Sequence, residues 1–142
     1  MIDYTGRIHR YAFGTFDFGG GADDNFTFKG PKGKEGLLWD YGVFAVTESF
    51  AAGTNTPRMM IGNASDDNHY GAEFDFGALA ADTSGGKSIR TTYRPTIDAG
   101  WLTYMLIRDL PADTAIYAKC VAGTGSGLTG MAIPFVDVIW AE

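Results

Sequence analysis

Apolar and polar residues alternate along much of this chain with the period of two that belongs to half-buried strands. The cleanest case sets Tyr70, Ala72, Phe74 and Phe76 between Gly71, Glu73, Asp75 and Gly77, which predicts a strand with one wet face. Residues 36–50 form the strongest strand signal. Leu38 aside, Leu37, Trp39, Tyr41 and Val43 take one parity, and Phe44, Val46 and Phe50 the other. Apolar groups on both faces predict a central strand covered on both sides. In residues 7–18 the aromatics Tyr11, Phe13, Phe16 and Phe18 change phase around Gly14, the mark of a bulge. Phe26 and Phe28 alternate in residues 25–29. The two stretches are expected to pair as a hairpin, or else to form an arm that reaches a neighbouring subunit.

Further extended runs fall at 58–61, 89–94, 101–107 (with a helix as the alternative), 115–121 and 131–140. Residues 78–84 suit a helical turn that Gly85-Gly86 ends. Pro134 lacks an N–H donor, which marks its strand as an edge or a bulge. Roughly eight short strands joined by Gly-rich turns predict an all-β sandwich or barrel.

Length and composition sharpen this picture. The chain has 142 residues, enough for a single domain. The expected division is an extended, aromatic- and Gly-rich N-terminal arm or hairpin over 1–35 and a β-sandwich domain over 36–142. Apolar types make up 45% and aromatics 14%, too much core material for a disordered chain. Twenty glycines separate the apolar runs without a collagen period.

A net charge of −6 disfavours a phosphate backbone as partner, so no nucleic acid is expected. The bases gather once, at Lys29, Lys32 and Lys34. That group reads as a solvated turn, or as a positive prong for an acidic partner. No stretch is long and apolar enough to predict a spanning helix, so no membrane is expected. Met1 to Gly6 lacks the basic start and greasy core of a signal segment. Cys120, the sole cysteine, lies in the apolar run Ala115 to Val121 and is expected as a buried, inert thiol.

Candidate chemistry is sparse. His9 and His69 lie far apart in sequence without ligand spacing, so no metal is expected, although a small metalloenzyme built on their convergence is one alternative. Asn63 to Asn68 is dense in oxygen ligands but lacks the EF-hand order. It reads as an Asx-rich turn satisfying its own backbone, with calcium as the rival. Gly123-Thr124-Gly125-Ser126-Gly127 precedes a strand rather than a helix, so it reads as a hairpin connection, not a phosphate loop. Glu73 and Asp75, about 7 Å apart on an extended strand, read as a solvated face before they read as a glycosidase pair. No catalytic residue and no cofactor are expected.

Two stretches carry a family likeness. They are Val46 to Thr54 followed by Met59 to Gly71, and Tyr117 to Gly127 with Gly130 and the run to Trp140. Over roughly residues 36–140 the chain resembles small virion proteins of tailed bacteriophages, the capsid decoration (cement) proteins and related minor structural components. The resemblance implies a jelly-roll-like β-sandwich on the outer surface of an assembled capsid. It also implies the major capsid protein as partner and a homo-oligomer, with a trimer favoured. It transfers no catalytic residue. Residues 1–35 lie outside it. From their own aromatic and Gly-rich character, Tyr11, Phe13, Phe16 and Phe18 are candidate capsid or subunit contacts, helped by Lys29, Lys32 and Lys34, with core filling as the competing reading. The other alternative is a spike or tail module binding host carbohydrate through Trp39 or Trp101 and the 63–68 loop.

Overall fold

The computed structural model describes residues 6–20, 22–51, 54–92, 109–125 and 128–142. In chain order these form β1 (Ile8–Ala12), β2 (Phe16–Asp17), β3 (Asp24–Phe28), β4 (Gly36–Glu48), β5 (Arg58–Gly62) and β6 (Gly71–Asp75). There follow β7 (Asp82–Ser88), a helical turn α1 (Ile89–Thr92), β8 (Asp109–Leu110), β9 (Ile116–Val121) and β10 (Met131–Trp140). The protein is all-β, in two antiparallel sheets. The six-stranded sheet runs β1-β10-β4-β7, with β2 also on β10 and β8 also on β4; the four-stranded sheet runs β3-β9-β5-β6.

One core fills the space between the sheets: Leu38, Tyr41, Val43, Val46, Val136, Val138 and Trp140 come from one, Phe28, Met59, Ile61, Phe74, Ile116 and Ala118 from the other. Tyr41 ties the layers, its hydroxyl donating to the Ala72 carbonyl at 2.5 Å. Strand β10 explains the unbroken apolar run at the end of the sequence. Its even positions face the core, and Phe135, Asp137 and Ile139 on the opposite face are buried as well.

The structure corrects several local expectations. β1 and β3 do not pair as a hairpin: β1 joins β10 and β3 joins β9, in different sheets. Their aromatics meet across the layers instead, Tyr11 stacked on Phe28 at 4.3 Å and Phe13 on Phe26 at 5.2 Å. Strands from residues 8–28 therefore belong to both sheets. Gly14, at φ +80°, supplies the predicted irregularity, and the chain leaves β10 there before returning as β2. That gap also explains Pro134. β10 is central, but Pro134 lies opposite the interruption between β1 and β2, where a missing donor costs least.

In β4 the core parity is reversed at the start. Leu38 is buried in the core, while Leu37 and Trp39 are half-buried outside it. A register shift opposite Asp137/Val138 then puts Tyr41 and Val43 inward. A second shift at Ala45, whose φ is +50°, does the same for Val46. The helical turn predicted at 78–84 is instead a bridge, Phe50 to Leu79, and the start of β7. Gly85-Gly86 ends nothing. Gly86 pairs with Phe44, and a Cβ there would lie 2.1 Å from the Val43 carbonyl, so the close approach of β7 requires glycine. The extended stretch predicted from Ile89 opens as α1, because Ser88 and Thr91 hydroxyls satisfy the turn's backbone. The predicted strand at 101–107 lies outside the described residues.

Candidate functional site

The aromatics proposed as contacts sit in or against the core. Phe18 is fully buried among Phe16, Phe50 and Phe76; it packs the interior and offers no surface, which corrects its assignment as a contact. Tyr11, Phe13 and Phe16 are half-buried against the core, closing the seam between the sheets. Tyr11 also accepts the Trp140 indole N–H at 2.8 Å. The lysine turn is a different case. Lys29 and Lys32 are exposed and Lys34 is half-buried. The turn is pinned at its tip, where the Gly33 amide donates to Asp113 at 2.8 Å and Gly33 takes φ +74°.

The acidic loop is an Asx turn. Asn63 Oδ1 accepts from the Ser65 amide at 3.0 Å and the Asp66 amide at 2.8 Å. Asp67 pairs with Lys119 at 2.8 Å, and Asp66 lies 3.6 Å from His69. Among the described residues no group of three His, Cys, Asp or Glu is placed to hold a metal. Glu73 is ion-paired with Arg58, and Asp75 accepts from the Gly77 amide at 2.9 Å. Cys120 is fully buried, and burial pushes its thiol pKa well up. Trp39 is half-buried, and the Arg90 guanidinium stacks on its ring at 3.5 Å; Trp101 lies outside the described residues. The glycine loop after β9 is a crossover between sheets, not a hairpin, since β9 and β10 belong to different layers. Thr124 ties it to Asn55 through paired backbone bonds, while Ser126 and Gly127 lie outside the described residues.

The most built polar constellation was not singled out by the sequence. It crosses the outer face of the six-stranded sheet as Arg10 on β1, Asp137 on β10, Asp40 on β4 and Ser88 on β7, with Arg10, Asp137 and Asp40 in direct register. Arg10 grips Asp137 through Nε at 2.8 Å and Nη2 at 2.9 Å, and lies 3.9 Å over the Phe135 ring. The hydrogen bonds to Asp137 raise the guanidinium pKa despite partial burial.

Asp40 Oδ1 accepts the amides of Tyr41 at 2.9 Å and Arg90 at 3.1 Å, and Ser88 adds a side-chain bond. Burial nevertheless pushes the Asp40 pKa above its ordinary value, those bonds opposing and Asp137 adding to the rise. Beside this row a cleft of about 170 Å³ opens, lined by Arg10, Asp40, Phe44, Ser88, Thr91 and the Gly85-Gly86 backbone among others. Its sequence signal is an acid interrupting an apolar strand, as in Leu38-Trp39-Asp40-Tyr41 and Val136-Asp137-Val138. Such an acid must find partners when buried.

No protein-family model matches the sequence, and neither a curated protein nor a solved structure matches it.

Proposed function

We propose that this chain is a non-enzymatic virion structural protein. In this reading it is a decoration protein with a jelly-roll-like β-sandwich that binds the major capsid protein on the outer surface of an assembled phage capsid, as a homo-oligomer and by preference a trimer. The observation that carries the reading is the pinned lysine turn Lys29–Lys34, exposed at Lys29 and Lys32, on a stiff two-sheet frame. Anchoring a cationic loop before binding lowers the ordering cost of contact with an acidic surface. Ile8, the exposed large apolar residue on β1, and the neighbouring Arg7 and His9 add an adhesive edge on the same N-terminal region.

A protein that binds the closed shell more tightly than the opened one stabilises it by mass action, and symmetry multiplies weak contacts into avidity. The test is co-sedimentation of the purified protein with decoration-free capsids. Wild type pellets with the shells, and the triple variant Lys29→Glu, Lys32→Glu, Lys34→Glu stays in the supernatant while keeping its β circular dichroism. Failure of wild type to bind the shells overturns the reading. Binding undiminished in the variant removes the lysine turn from it.

A further inference from the structure

We propose that the cleft beside Asp40 is a binding site for one neutral, hydroxyl-rich ring, a hexose unit. The inference is independent of the capsid reading and rests on the chemistry of the lining. At about 170 Å³ the cleft lies below the roughly 300–1,000 Å³ of sites for drug-sized ligands, so it takes a single ring. A guanidinium has five N–H donors; Arg10 spends two on Asp137 and keeps the others. A carboxylate has about four acceptor positions. Asp40 fills one with each of the Tyr41 and Arg90 amides and another with Ser88, leaving one.

The cleft therefore offers donors from Arg10 and an acceptor from Asp40, while the Ser88 and Thr91 hydroxyls are spent on each other and on the backbone of the α1 turn. A simple anion meets the Asp40 carboxylate, and a simple cation meets Arg10. A neutral diol suits both, since each hydroxyl donates to the carboxylate and accepts from the guanidinium. The half-buried Phe44 ring is the apolar part of the lining, with the Arg10 guanidinium 5.3 Å from its centroid.

Arg10 and Asp40 hold the sheet together, so they are poor test positions. Ser84 lines the same cleft and is exposed. Ligand-observed NMR and calorimetry on the whole chain, with glucose, galactose and mannose, should find millimolar binding of at least one. Inorganic phosphate and methylammonium, the charged probes, should not bind. Ser84→Trp, which fills the mouth, should weaken the sugar about tenfold or more without changing the circular dichroism spectrum. If that variant misfolds, the smaller Ser84→Leu supplies the same reading.

Binding kept by the methyl glycoside assigns the site to glycan ends, and binding lost assigns it to free sugars. No hexose binding, preference for either charged probe, or sugar binding untouched in a folded cleft variant overturns the proposal. Capsid binding by the Ser84→Trp variant should remain, which separates this site from the lysine turn.

Discussion

Asp40 shows how a single buried carboxylate shapes the behaviour of the fold. Its folded pKa stands above the ordinary value, chiefly through burial, so between those two values the folded state holds more protons than the unfolded one. Stability is then greatest at the acid end of that window and is lost as pH rises through it. Asp40→Asn preserves an acceptor for the Tyr41 and Arg90 amides but removes the titration. Urea midpoints of the variant should fall less steeply than wild type above about pH 4; equal slopes would place the proton linkage elsewhere.

Arg10 plays the complementary part. Its partner Asp137 is buried at 5% exposure, and stripping a buried charge of its partner costs about 3–5 kcal/mol in enclosed sites. Arg10 itself is 46% exposed in its side chain, so water offsets part of that loss. Arg10→Gln should lower unfolding free energy by about 1–3 kcal/mol, read by denaturant titration.

Among the strands, two glycines sit where no side chain has room. Gly42 on β4 and Gly86 on β7 would each place a Cβ about 2 Å from a carbonyl oxygen of the facing strand, 2.2 Å from Lys87 and 2.1 Å from Val43. Neither neighbour is a flexible tip that can step aside. Gly86→Ala should therefore cost about 1–3 kcal/mol and loosen β7, seen as faster amide exchange at Lys87 and Ser88; unchanged exchange would mean that the strands separate without penalty. Phe18 is buried where the chain leaves β2. Phe18→Ala should remove about 3–5 kcal/mol by opening a cavity among Phe16, Phe50 and Phe76, a far larger loss than a surface anchor would show.

For the molecule as a whole, the β class was legible in the strict alternation at 70–76 and the double-faced runs at 36–50 and 131–140. Alternation reports burial strand by strand and says nothing about neighbours. The hairpin expected between residues 7–18 and 25–29 illustrates the limit. Both stretches are strands, yet stacking of Tyr11 on Phe28 places them in opposite layers. The acidic loop was read correctly because an Asx turn is a local bond between near neighbours. The Arg10–Asp137 pair spans 127 residues, and no local pattern carries it.

The amino-acid order alone thus determined that the runs at 36–50, 58–61, 70–76, 115–121 and 131–140 carry strands, that residues 63–68 turn, and that Cys120 lies buried, since each follows from side-chain type and nearest neighbours. Tertiary structure alone decided which strands pair, that Phe18 fills a core while the lysine turn faces water, and that an arginine, two aspartates and a serine form one row beside a cleft. The reason is that antiparallel pairing joins residues distant in sequence through backbone groups common to every residue, so the choice of neighbour emerges only when all the strands pack together.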